Sequence, residues 1–440
     1  MPRDRRTVSE SPLSATWRPA VREPAILVGI DRRGDESSLD ELAALADSAG
    51  AEVVGRLVQQ RERPDATTFI GKGKLDELHA LAHSKDAGLV AFDDELTPAQ
   101  LRNVEQRLGV KVIDRTALIL DIFALHARSR EGRTQVELAQ LNYLLPRLRG
   151  WGEAMSRQAG GIGTRFGGGE TKLEIDRQHI GRRISKLRKD IVGLAKSRKV
   201  KSAERERSGL PQIALAGYTN AGKSTLMNAL TSSDVLVADQ LFATLDPTVR
   251  RLQLPSGRRA TISDTVGFVR KLPHDLVEAF RSTLEEVARA SLILHVADAS
   301  AEDVEEQVAA VREVLGEIGA GGIPEVLALN KVDLLSEVGR ARVQRRFPEA
   351  VEISAVTGEG TGGLLPALDA ALPAPPLEVE LHVPYDRQEV VARLYREAEV
   401  LKELPGQDGT TIEARLGEEQ LAWAGEFTVR RVSRRRRLSG

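Results

Sequence analysis

Cysteine is absent from the 440-residue chain, which excludes disulfides and thiolate metal sites. Long hydrophobic runs are absent too: no stretch reaches the ~18 apolar residues of a membrane-spanning helix. The polar, charged start from Met1 to Arg22 has no apolar segment of the kind a secretory signal needs. A cytoplasmic protein is the expectation. Net charge is nearly absent at −1, but its distribution is uneven. Between Ala127 and Arg207 there are 20 Lys and Arg against 9 Asp and Glu, whereas the rest of the chain holds 43 against 55. A basic segment in an otherwise acidic chain suits a polyanionic partner, or a solvated helical arm, and the charge alone does not separate RNA from DNA.

What is present begins with Gly217-Tyr218-Thr219-Asn220-Ala221-Gly222-Lys223-Ser224, which reads G-x-x-x-x-G-K-[ST]. Glycines at these positions let backbone N–H groups converge on phosphate oxygens; Lys223 reaches the β- and γ-phosphates, and the Ser224 hydroxyl, followed by Thr225, suits Mg²⁺. The apolar run Gln212–Ala216 predicts a buried strand before the loop, and Ser224–Leu230 predicts a helix after it, so the phosphate meets a helix N-terminus.

Downstream, Asn330-Lys331-Val332-Asp333 follows the apolar strand Val326–Leu329. A carboxylate at Asp333 can accept from both N1–H and the N2 amine of guanine, a pair adenine lacks; Asn330 would tie the loop to the phosphate loop, and the stem of Lys331 would lie along the base. The string alone could also be a strand-to-turn junction with Asp333 capping the next helix. Ser354-Ala355-Val356 offers backbone N–H to guanine O6. Asp264-Thr265-Val266-Gly267 closes the predicted strand Ala260–Ser263, where an acidic side chain can reach Mg²⁺ through water and a glycine N–H can meet the γ-phosphate. Between it and the phosphate loop lies Phe242-Ala243-Thr244-Leu245-Asp246, in which Thr244 is the candidate second hydroxyl on Mg²⁺. Five strings in this order resemble the motifs of the translation-factor class of P-loop GTPases. GTP and GDP are the expected ligands, with Lys223 and Thr244 the candidate catalytic residues.

The residue after Gly267 is Phe268, where many GTPases carry a water-orienting glutamine. A phenyl ring cannot orient water by hydrogen bonding, so slow turnover accelerated by a partner is expected. Asn220 gives the loop the form G-x-x-N-x-G-K-S, similar to potassium-activated GTPases, which adds K⁺ as a candidate cofactor beside Mg²⁺.

A chain of this length holds two to four domains. Residues 1–22 read as a disordered tail. Over 23–126, apolar strands at Ala25–Ile30, Glu52–Gly55, Gly88–Phe92 and Val110–Ile113 alternate with helices such as Leu39–Ser48 and Gly73–His83, predicting a small parallel α/β domain. Over 127–207, two long helical patterns, Arg133–Leu148 and Leu173–Arg207, flank the glycine-rich stretch Ala159–Gly169, a basic hairpin. Its tip carries Arg157, Arg165 and Phe166, groups able to stack on unpaired bases, although such a stretch also serves as a plain linker. Residues 211–372 form the nucleotide domain. After the proline-rich Leu372–Pro376, residues 377–440 predict a small α+β module ending in the basic tail Arg434–Arg437. The fold class is therefore α/β: a P-loop GTPase domain preceded by a parallel α/β domain with a helical hairpin and followed by an α+β module.

With Phe69-Ile70-Gly71-Lys72-Gly73-Lys74, Asp114-Arg115-Thr116, the stretch Gly132–Leu141 and Gly169-Glu170-Thr171-Lys172-Leu173-Glu174 beside these motifs, the chain resembles the HflX family of GTPases over nearly its whole length. The resemblance implies a monomeric GTPase of the large ribosomal subunit and its rRNA, which helps dissociate or rescue stalled ribosomes under stress. Some family members are reported to hydrolyse ATP through the N-terminal domain or to remodel RNA. Two other readings stay open: an RNA-binding or RNA-remodelling factor with nucleotide-tuned affinity, and a G protein whose arm docks on a protein.

Overall fold

The computed structural model describes residues 22–31, 37–148, 168–207, 210–231, 241–242, 248–265, 267–270, 286–373 and 377–431. Four parallel strands, β1 (Glu23–Asp31), β2 (Ala51–Gln60), β3 (Leu89–Phe92) and β4 (Lys111–Asp114), form a sheet in the order β2-β1-β3-β4. Strand side chains alternate between faces, so Ala25 and Leu27 of β1 enter one core and Ile26 and Val28 the other. The first core is roofed by α1 (Ser37–Ser48) and α4 (Arg115–His126), the second by α2 (Lys72–Ser84) and α3 (Pro98–Leu108). Both faces covered is what a parallel sheet requires.

Two of these helices escape the periodicity reading. The start of α3 is written locally: the Thr97 side chain accepts from the Gln100 N–H, Gln100 reciprocates, Pro98 opens the first turn, and Gly109 closes the helix at φ 68°. In α4, by contrast, Leu118, Ile119, Leu120, Ile122 and Phe123 are all buried, so no amphipathic stripe marks it. Its N-cap is Asp114, the last residue of β4, which accepts from the Ala117 N–H.

The arm consists of α5 (Arg130–Arg147) and α6 (Gly168–Arg207). The second helix begins inside the glycine stretch read as loop, taking in Gly168 and Gly169. Ile184 and Leu187 of α6 and Val136 and Ala139 of α5 are buried, and Arg183 makes two hydrogen bonds of 2.6 and 2.7 Å to the Glu137 carboxylate. At the other end of α5, Tyr143 donates to the buried Asp114 carboxylate at 2.8 Å and Arg147 donates to it at 3.1 Å and to the Leu96 carbonyl at 2.9 Å. The arm is thus tied to the strand-end residue that also caps α4.

The nucleotide domain holds a six-stranded sheet in the order β10-β9-β8-β5-β7-β6, parallel except for β6. Its elements are β5 (Gln212–Gly217), α7 (Lys223–Thr231), β6 (Thr248–Gln253), β7 (Arg259–Asp264), β8 (Leu292–Asp298), α8 (Val304–Glu317), β9 (Glu325–Asn330), α9 (Glu337–Arg346), β10 (Val351–Glu352) and α10 (Thr361–Ala371). The chain divides into two compact units, with the break near residue 371. The second is an antiparallel sheet, β12-β13-β11-β14, of β11 (Leu377–Pro384), β12 (Glu399–Pro405), β13 (Gly409–Leu416) and β14 (Thr428–Arg431). Val379, Leu381 and Val383 alternate into a core closed by α11 (Gln388–Glu397) and α12 (Glu418–Ala424), where Arg393 stacks over Trp423. Among the described residues no helix is long and apolar enough to cross a membrane.

Candidate functional site

The loop leaving β5 returns its last residue to a helix at Lys223, whose side chain folds back under the loop. Lys223 Nζ donates to the carbonyls of Gly217 and Tyr218 at 3.0 and 2.8 Å. Burial drives its pKa down to about 8, against the opposing pull of Asp264. Gly222 stands at φ +90°, and a Cβ there would lie 2.2 Å from Asn330 Nδ2, so this position accepts no side chain. Asn220 is exposed and adopts the left-handed conformation at φ 59°.

Across from the lysine, β7 ends at the fully buried Asp264. Ser224 Oγ donates to Asp264 Oδ2 at 2.6 Å, while Oδ1 accepts from the Thr265 N–H. Thr265 itself is locked by its hydroxyl on the Leu215 carbonyl at 2.5 Å. A hydroxyl and a carboxylate held this close are hard oxygen donors, and they fit a Mg²⁺ bound by one directly and by the other through water. Gly267 packs against the loop so tightly that a Cβ would meet Thr219 Cγ2 at 2.8 Å and Lys223 Nζ at 3.0 Å. Phe268 is buried, and its backbone zips onto the phosphate loop: its N–H donates to the Gly217 carbonyl at 3.1 Å and its carbonyl accepts from the Thr219 N–H at 2.7 Å.

The base-side strings converge on Asn330. Its Nδ2 donates to the Ala221 carbonyl at 2.8 Å and its Oδ1 accepts from the Ala355 N–H at 2.9 Å, so one buried amide joins all three loops. Since the Ala355 N–H is committed to Asn330, a guanine O6 contact from 354–356 must share that donor or take the N–H of the exposed Val356. The buried Ser354 turns its own N–H to the Glu359 carbonyl. Lys331 is left-handed at φ 65° and pairs with Asp298 at 2.6 Å. Asp333 sits in the short 3₁₀ turn Val332–Leu334; the N-cap of α9 is Ser336, so the helix-cap alternative for Asp333 does not hold.

Gly217, Lys223, Ser224, Asp264 and Gly267 are thus gathered at one end of the sheet, with Thr225 half-buried in the first turn of α7. Ala243, Thr244, Leu245, Asp246 and Val266 lie outside the described residues, as do Arg157, Arg165 and Phe166 at the arm tip. Among the described residues, no cluster of three or more His, Asp or Glu suits a metal ion.

Sequence reading missed the surroundings of Tyr218. Its hydroxyl donates to Glu41 Oε2, on α1, at 2.5 Å and accepts from the Arg270 N–H, which also donates to Glu41 Oε1 at 3.2 Å. Burial pushes both the Tyr218 hydroxyl and the Glu41 carboxyl up, Arg115 countering the latter. Glu41 and Asp93 share the buried Arg115, and Asp93 accepts from Ser38. Residues 177 positions apart in the chain carry no local signal of such a pairing.

A parallel sheet with a phosphate loop before its first helix, an acidic strand end beside the lysine, and an asparagine joining the base loops defines a P-loop GTPase. Family models match in chain order: "GTP-binding GTPase N-terminal" over residues 36–124, "GTP-binding GTPase Middle Region" over 126–205 and "50S ribosome-binding GTPase" over 212–331. GTPase HflX of Caldanaerobacter subterraneus subsp. tengcongensis is 48% identical over 394 residues, covering 89% of this chain and 91% of its own. That of Escherichia coli is 43% identical, covering 88% and 92%. The chain belongs to the HflX family of GTPases. A GTP-binding protein of Sulfolobus solfataricus, solved with GDP, aligns over 79% of this chain and 98% of its own at 25% identity and a TM-score of 0.43.

Proposed function

We propose that this chain is a cytoplasmic GTPase that binds the large ribosomal subunit through its basic arm and uses GTP binding and hydrolysis to control ribosome dissociation or rescue. The observation that carries the reading is the presence of the nucleotide site and the basic arm in one compact unit. On α6, Gln178, Arg182, Lys186 and Lys189 line one exposed face at helical spacing, a row suited to phosphates. The tip residues Arg157, Arg165 and Phe166 are proposed to meet unpaired bases.

Lys223 grips the β- and γ-phosphates, the backbone from Thr219 to Thr225 cradles them, and the Gly267 N–H senses the γ-phosphate. Ser224 and Thr244 would hold Mg²⁺, which supplies neutralising charge at the phosphate oxygens when bound. Asp333 reads guanine, Lys331 covers the base and the 354–356 loop meets O6. With buried Phe268 standing where many GTPases carry a water-orienting glutamine, turnover is slow until a partner completes the site. Asn220, exposed at the loop, would accept K⁺, and faster hydrolysis in potassium than in sodium buffer checks that point.

Sucrose gradients of ribosomes with the full chain and a nonhydrolysable GTP analogue test the main reading. Co-sedimentation with the large subunit and a shift from 70S to subunits are expected. An unchanged profile without co-sedimentation sinks it, and co-sedimentation without splitting favours the RNA-binding alternative.

A further inference from the structure

The two loops assigned to guanine are joined outside the base site by a single side chain. Arg340 lies in the first turn of α9, and its guanidinium reaches back to the turn after Asn330: Nε and Nη2 donate to the Val332 carbonyl at 3.2 and 3.0 Å. The other edge of the same group holds the Glu359 carboxylate, Nη1 on Oε1 at 2.6 Å and Nη2 on Oε2 at 3.1 Å. Glu359 in turn closes the loop that starts at Ser354, because its carbonyl accepts from the Ser354 N–H at 2.9 Å. Ser354 completes that ring: its carbonyl accepts from the Gly358 N–H at 2.9 Å and its hydroxyl from the Thr357 N–H at 3.1 Å.

Other contacts hold the same two loops from the inner side. The Val332 N–H donates to the Ile353 carbonyl at 3.3 Å, Asn330 accepts from the Ala355 N–H, and the Lys331 ammonium rests on Asp298. Asp333 follows Val332 directly, and its carboxylate is near enough to act on both charges of the Arg340–Glu359 pair. A guanidinium presents its donors in a rigid planar fork, so the carbonyl on one edge and the carboxylate on the other are held at a fixed spacing. The two side chains are 34% and 47% exposed, and ion pairs in contact with water add little to the stability of a fold. The place of the bridge, between the turn that carries Asp333 and the loop that carries Val356, gives it a different use.

We propose that Arg340 is a positioning residue for guanine recognition: by bridging Val332 to Glu359 it sets the spacing between Asp333, which reads N1–H and the N2 amine, and the 354–356 backbone, which meets O6. Neither Arg340 nor Glu359 needs to touch nucleotide. A base gripped by two separate loops binds well when both already stand at the right distance; otherwise binding must order them, and affinity falls. The loss is largest for the contact with the strictest geometry, the one carboxylate that must meet two neighbouring donors.

The inference rests on the assignment of Asp333 and the 354–356 loop to the base. In the full chain, Arg340→Ala, Arg340→Lys, Glu359→Ala and Asp333→Asn are compared by displacement of fluorescent GDP with GDP and with inosine diphosphate, whose base lacks only the N2 amine, and by thermal melting. In Arg340→Ala we expect GDP affinity to fall about tenfold and inosine diphosphate affinity about threefold, so the preference for GDP narrows about threefold while melting changes little. Arg340→Lys should resemble Arg340→Ala, because one ammonium cannot span both partners. Glu359→Ala should lose less, since the bonds to Val332 survive, and the double variant Arg340→Ala/Glu359→Ala should bind GDP no more weakly than Arg340→Ala, both changes cutting one bridge. Affinities that are unchanged, or that fall by one common factor for both nucleotides, make the pair a surface contact and overturn the proposal; full recovery in Arg340→Lys makes charge alone sufficient and overturns it equally. A GDP preference unmoved in Asp333→Asn refutes instead the assignment of Asp333 to the base, and the inference with it.

Discussion

The chain carries one parallel and one largely parallel sheet whose strand ends are used in opposite ways. At the nucleotide sheet, the ends of β5, β7 and β9 present backbone amides, one buried lysine and carboxylates to an outside ligand. At the N-terminal sheet, the corresponding edge is filled from within: Arg115 pairs with both Glu41 and Asp93, and the space beside them is taken by Tyr218 and Arg270 of the neighbouring domain. The difference shows that the topology supplies the crevice while the side chains decide its occupant. Glycine at 217, 222 and 267 lets backbone approach a ligand; a closed set of charges turns the other edge into a joint.

The largest expected effect breaks the joint. Arg115→Ala leaves two carboxylates in a buried site without their counter-charge, which costs about 3–5 kcal/mol. Glu41, whose carboxyl burial already pushes up, then escapes the penalty by binding a proton, so the loss measured by urea unfolding should be greatest at neutral and higher pH and shrink in acid. A variant as stable as the parent at pH 8 would mean that the edge is solvated and that the two sheets do not differ in the way argued.

Removing the cation at the other edge should act on ligand instead. Lys223→Ala deletes charge-assisted bonds to phosphate worth about 1.5–3 kcal/mol apiece, so GTP affinity by calorimetry should fall about 100-fold. The fold should survive, because the buried ammonium is desolvated at a cost in the free protein. Asp333→Asn should cost less in total binding and more in choice: the guanine preference over adenine drops about 10–100-fold, with competition by xanthosine triphosphate gained. Unchanged selectivity would remove Asp333 from the base site.

How far these edges could be read from the sequence differs in the same way. The nucleotide edge was legible because its chemistry is local: eight consecutive residues build the loop, and the strings at Asp264 and Asn330 each begin at the end of a strand. Helix α3 carried an equally local start signal at Thr97–Gln100 that periodicity passes over. The joint was illegible because Glu41, Arg115, Tyr218 and Arg270 come from four separate segments, and an Asp or Arg at a strand end looks like ordinary surface polarity. Nor did alternation reveal α4 or β12, the first with buried residues on most of its faces and the second an exposed strand paired on β13. Asn330 shows the intermediate case, since its motif predicted the tie to the phosphate loop but not the competing claim on the Ala355 N–H.

Protonation offers the finest discrimination between a joint and a binding edge. In the free protein burial lowers Lys223 to about pH 8. Bound phosphate favours the ammonium and raises the value, so binding takes up a proton wherever the free lysine is neutral. Affinity should therefore be flat below pH 8 and fall up to tenfold per unit above it, until the pKa of the complex is passed. Calorimetry at pH 9 in buffers of different ionisation enthalpy counts the protons directly; the parent should take up about one more than Lys223→Ala, and the difference between them should vanish at pH 6.5. If proton uptake at pH 9 persisted undiminished in Lys223→Ala, the titrating group would lie elsewhere, and the phosphate edge would have to be rebuilt around it.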